Sequence, residues 1–259
     1  MQNLPDELKT PLVELLLAIA DDKLMLGHRA ADWTGLGPIL EEDIAFSAIS
    51  QEEIAHASAL YEMVGAMQGR RADAVAFGRR PEEYRCAALT TLPDDFDWAR
   101  AIVRQLFCDH FDVLRFDRLS RSAYTPLASL ARRIRAEEAT HVEHADLWTI
   151  QIGRGGDESR QRMQAALEAL LPDAAMLFEP TLGIEALEQA QVYPPGEQDL
   201  FERWLADVRR VTDDAGLRLD VAPPPPEARG GRRGQHGHEF AALLDEMCEV
   251  YRIEPEAAW

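Results

Sequence analysis

Cysteine is scarce in this chain: Cys86, Cys108 and Cys248 are all there is among 259 residues. They are far apart, odd in number and form no C-x-x-C pair. That argues against a disulfide framework and a thiolate metal knuckle, and it fits a reducing compartment. Long apolar runs are missing too, so no stretch reads as a membrane span. The opening stretch, MQNLPDELKTPLVELLLAIADDKLML, has no basic n-region and no small-residue cleavage site. It does not read as a signal peptide, and a cytoplasmic protein is expected. Positive charge is also short: 27 Lys and Arg against 46 Asp and Glu leave a formal net charge of −19. An acidic surface repels phosphate backbones and anionic bilayers, so neither nucleic acid nor a membrane is expected as a partner. There is no G-x-G-x-x-G after a strand and no cysteine cluster, hence no nicotinamide, flavin or iron–sulfur fingerprint.

Helical periodicity is what the chain does have, and strand alternation is almost absent. The apolar spacing predicts helices over residues 10–33, 39–65, 97–121, 125–152, 158–171, 197–214 and 240–251, with a short segment over 182–191. TGLGP at 34–38 breaks the first pair, and residues 69–96, rich in turn formers, read as a long crossover. Thr125 can cap the fourth helix, with Pro126 as its first residue. Residues 221–239, with their proline run, read as a linker or extended arm. The expectation is an all-α, four-helix bundle over 1–156, with further helices and a Pro/Gly-rich arm over 157–259 packed on it in a single domain.

Two predicted helices each carry Glu-x-x-His. QEEIAHASAL places Glu53 ahead of His56, and AEEATHVEHA places Glu138 ahead of His141. Residues i and i+3 lie on one helix face about one turn apart, so each pair can reach a common point. With seven His in the chain, chance supplies roughly 0.7 such pairs, so two matched pairs carry weight. Counting equal distances from each hairpin turn sets Asp22 opposite Glu53 and Asp109 opposite Glu138. Helix phase leaves Asp21 open as an alternative to Asp22, and Asp112 as an alternative to Asp109. Four carboxylates and two imidazoles pointing into one bundle make the ligand set of a carboxylate-bridged pair of metal ions. Hard oxygen donors with imidazole suit two iron ions, or manganese in their place, better than a structural zinc. The basic loop GGRRG near the carboxyl end offers a place for an anion, such as a CoA phosphate, or for a partner's acidic patch.

Four stretches carry a resemblance to a known family: DDKLMLGHRAADW (21–33), IVRQLFCDHFDVLRFDRL (102–119), RIRAEEATHVEHADLW (133–148) and GGRRGQHGHEFAALLDEM (230–247). The chain resembles the C subunits of multicomponent phenylacetyl-CoA oxygenases (ring-1,2-epoxidases), within the ferritin-like superfamily. The resemblance implies a ferritin-like fold with a long crossover and a place in phenylacetate catabolism. It also implies an oligomer with a homologous catalytic subunit, electrons from a separate reductase, and an acyl-CoA substrate. In such C subunits the ligand positions are often replaced, and the subunit is described as structural. Here Glu53, His56, Asp109, Glu138 and His141 stand intact. An oxidoreductase component with its own di-iron site is the first expectation, and a non-catalytic scaffold is the second.

Overall fold

The computed structural model describes residues 4–93, 95–221 and 229–257. Its α-helices, in chain order, are α1 (Asp6–Ala31), α2 (Leu40–Gln68), α3 (Ala72–Ala76), α4 (Ala88–Thr91), α5 (Trp98–Leu119) and α6 (Thr125–Gly153). They continue as α7 (Asp157–Ala174), α8 (Ile184–Gln189), α9 (Glu197–Asp214), α10 (His238–Met247) and α11 (Glu249–Ile253). No strand occurs among the described residues. The prolines of the 221–239 arm lie at 223–226, outside the described residues.

The chain divides into two compact units. Of the described residues, one holds 4–93, 179–184 and 229–257, and the other holds 95–178 and 185–221. In the first, α1 and α2 form an antiparallel hairpin. Trp33 meets Phe46 with ring centroids 6.2 Å apart near the turn, and Tyr61 reaches Asp21 further along. The two helices approach closely at Gly27, where a Cβ would press on the Ile54 side chain, and Ser50 Oγ donates to the Gly27 carbonyl at 2.7 Å. The predicted crossover is ordered into α3, a 3₁₀ turn and α4. It lies along α1 because its backbone N–H groups find carboxylates there: Arg85 N donates to Asp21 at 2.6 Å and Ala87 N to Asp22 at 2.8 Å. Helix α10 then closes a small core of Met25, Tyr84, Cys86, Phe240, Leu243, Leu244 and Cys248.

In the second unit, α5 is the central helix, buried on nearly every side. Asp97 caps it, accepting from Ala99 N and Arg100 N, which satisfies two of the donors a helix start leaves without partners. Helix α6 runs antiparallel to it, with His110 Nε2 at 2.7 Å from Asp146 and Arg135 Nε at 3.0 Å from Asp117. Its N-cap residue is Tyr124, one before the expected Thr125, and no side chain caps it. The 3₁₀ turn at Ala175–Phe178, which follows α7, and helix α9 cover α5 through an aromatic cluster. Phe111 meets Phe178 at 4.8 Å, Phe178 meets Phe201 at 5.0 Å, and Trp204 Nε1 donates to the Phe107 carbonyl at 2.9 Å.

Candidate metal centre

In the α5–α6 unit, Asp109 comes from the middle of α5, and Glu138 and His141 come from one face of α6. Each offers a ligand atom, and these three atoms lie within 4.8 Å of one another. All three residues are buried. Glu138 Oε2 stands 3.6 Å from His141 Nδ1, the turn-apart contact that the Glu-x-x-His spacing dictates. The other acid on this face, Asp112, goes elsewhere: Arg115 Nη2 holds it at 2.5 Å. Two carboxylates and an imidazole within a few ångströms of one point, withdrawn from water, are a donor set that a divalent iron or manganese ion fits.

The α1–α2 unit presents Glu53 and His56, both buried and one turn apart on α2. The residue against Glu53 is Lys23, whose Nζ lies 3.1 Å from Oε1 and 2.9 Å from Oε2. Both side chains are essentially without exposure. The expected register was right to within one residue, but one residue turns a helix by about 100°. Lys23 therefore points where Asp22 was expected, and an ammonium already sits on the Glu53 carboxylate. Asp22 is turned toward the crossover and the arm, where Ala87 N donates to it and Arg232 Nη2 lies 2.8 Å from Oδ2. Asp21 is bound by Arg79, by Arg85 N and by Tyr61, whose hydroxyl donates at 2.6 Å. Burial, reinforced by the Asp21 charge, pushes the Tyr61 hydroxyl well above its usual range.

The GGRRG loop, read as a place for an anion or for a partner's acidic patch, meets carboxylates of its own chain. Gly230 N and Arg232 N donate to the Glu179 carboxylate at 3.0 and 3.4 Å. The Arg232 side chain is buried, donating to the carbonyls of Ala18 and Arg85 at 3.1 and 2.8 Å as well as meeting Asp22. Arg233 remains exposed. His236 Nε2 lies 3.1 Å from the Tyr84 carbonyl; since a carbonyl only accepts, Nε2 carries the proton and donates it. Burial pulls the basicity of His236 below the ordinary value of 6.5. His238 is exposed.

Lys23 and Arg232 were missed as site residues. Lys23 had a signal: one ammonium in DDKLML, followed by Leu24, Met25 and Leu26 in mid-helix, where a solvated lysine has no natural place. Arg232 had none beyond its flanking glycines.

Known proteins share this architecture. The family model described as phenylacetic acid catabolic protein matches residues 1–259. The chain is 28% identical over 250 residues to the C subunit of 1,2-phenylacetyl-CoA epoxidase from Escherichia coli strain K12, covering 96% of this chain and 99% of the relative. A solved structure, protein 19 with aldehyde deformylating oxidase activity from Synechococcus, matches with a TM-score of 0.53 at 18% identity. That match covers 80% of this chain and 87% of the other, and it shows fold only. The fold class is the expected one, all-α and ferritin-like. With the family match running the whole length of the sequence, this chain belongs to the phenylacetic acid catabolic proteins.

Proposed function

We propose that this chain is the C-type subunit of a phenylacetyl-CoA epoxidase-like oxygenase in phenylacetate breakdown. In this reading it holds its place beside a homologous ferritin-like subunit that carries out the oxygen chemistry, with electrons from a separate reductase. One observation carries the choice of scaffold over catalyst: the buried Lys23 ammonium on both oxygens of Glu53. A metal at Glu53 would have to displace a buried cation that already neutralises the carboxylate. Asp22 is neutralised in the same manner by Arg232. In this reading Glu53 and Asp22, each already met by a buried cation, serve as structural partners rather than as metal donors.

The second reading, a component with its own pair of iron ions or manganese, has one observation in its favour. Asp109, Glu138 and His141 fit a divalent ion, and they would be the residues to hold it. Bound there, iron would supply redox chemistry toward dioxygen.

Two measurements separate the readings. Elemental analysis of protein from iron-supplied cells should find well under one iron or manganese per chain. The reconstituted assembly, supplied with phenylacetyl-CoA and reductase, should keep its activity in His56→Ala and His141→Ala variants that still assemble. Two metals per chain, or loss of turnover in an intact complex carrying either variant, would overturn the scaffold reading.

A further inference from the structure

The outward face of α2 differs from that of the other long hairpin helix. Leu40, Ile44, Ala48, Gln51, Ala55 and Ser58 recur at steps of three and four residues, so they share one stripe. All six are exposed, Leu40 to 69% and Ile44 to 63%. At 1.5 Å per residue the stripe is about 27 Å long. No charged side chain interrupts it, whereas the exposed side of α6 carries Arg132, Arg133, Arg135 and Glu143. A helix facing water ordinarily shows the second pattern. Beside the stripe, within the same unit, is a half-open cleft of about 120 Å³ with Leu24, Ile54, Ala57, Ala76 and Phe77 in its walls and Ser58 at its edge. That is a hole of the size one large apolar side chain fills.

The charges that α2 itself sets beside the stripe are of one sign, and Asp73 in the cleft wall is met by Arg71 at 3.2 Å. Glu41, Glu52 and Glu62 flank it, and α2 contains no lysine or arginine. A second copy packed symmetrically on this face would set these acids against their own counterparts, in a chain whose net charge is already −19. The occupant that fits is a helix of opposite character.

We propose that this face of α2 docks the apolar side of an amphipathic helix from a different chain, one flanked by lysine or arginine, with an apolar knob entering the cleft. The inference rests on the subunit reading above, with the homologous ferritin-like subunit as the chain that supplies the helix. The apolar stripe provides the buried area, and the acidic border sets orientation and speeds association.

The test uses the purified homologous ferritin-like subunit as probe and sedimentation velocity with a binding titration as readout. The wild-type chain should form a one-to-one complex whose affinity falls as salt rises. Ile44→Glu and Ala55→Arg should each weaken it at least tenfold, and Glu62→Lys should slow association. The melting curves of the variants should stay near wild type, since these positions are exposed. If a complex forms but both face variants bind as tightly as wild type, the inference is overturned while the subunit reading stands. Self-association of the wild type that Ala55→Arg dissolves would overturn it in favour of a second copy. Absence of any complex with the wild type would overturn both.

Discussion

Lys23 and Glu53 form a buried pair in which each charge is tolerated away from water because of the other. Removing one member takes a buried ion-pair partner from the other, and breaking a buried pair in this way typically costs about 3–5 kcal/mol. Lys23→Met should therefore lower the urea unfolding free energy by about that amount, and Lys23→Met combined with Glu53→Met should recover most of it, because an apolar pair of similar volume carries no such penalty. Arg232 is a parallel case with more partners. Arg232→Ala strips Asp22 of an ion-pair partner and the carbonyls of Ala18 and Arg85 of donors, so a loss of similar size is expected. Arg232→Lys should rescue little, since one ammonium cannot reproduce the guanidinium fork. His236 brings a pH dependence. Burial depresses its folded basicity below 6.5, so on acidification the unfolded chain takes up this proton first. The stability it contributes is present above about pH 6.5 and is lost as pH falls through the window below. Thermal melts between pH 7.5 and 5 should show a smaller slope in His236→Gln than in wild type.

At the scale of elements, sequence and structure agree where local geometry decides. The Glu-x-x-His spacing on α2 and α6 puts each pair on one face whatever the surroundings. The antiparallel register of both hairpins followed from turn position to within about a residue. Asp109 comes close to Glu138 and His141 within that tolerance, and the same tolerance is decisive for Lys23 against Asp22, where one residue turns the side chain away. What selects the phase is the close packing of α1 on α2 at Gly27 and Ile54, a contact between residues far apart in the chain. The last predicted helix is divided at Cys248 into α10 and α11, with no proline or glycine there to announce the break. Two expected outcomes belong here. Asp97→Ala removes the cap of α5 and should cost about 1 kcal/mol in denaturant unfolding. Gly234→Ala meets the Glu82 carbonyl at a residue held in the left-handed region, φ 78°. It should loosen the arm, seen as faster amide exchange over residues 229–247, while exchange across the α5–α6 pair keeps its rate.

For the molecule as a whole, the scarce cysteines become a usable probe. Cys86, Cys108 and Cys248 are all buried, and burial pushes the thiols of Cys86 and Cys248 upward, away from the reactive thiolate. A thiol reagent should find no fast-reacting group in the native protein and three after unfolding in guanidinium. Arg232→Ala should make Cys86 and Cys248 react sooner than Cys108, because both belong to the core that α10 closes.

The sequence by itself determined the helices, the acidic charge and the two spaced pairs of glutamate and histidine. Each follows from chain-local geometry or from composition. Only the tertiary structure decided which cation answers Glu53 and Asp22, Lys23 for the first and Arg232 for the second, whereas Arg115 meets Asp112 from three residues further along the same helix. A carboxylate taken out of water must be neutralised by whatever folding brings within reach, and for Glu53 and Asp22 that partner lies 30 or more residues away along the chain.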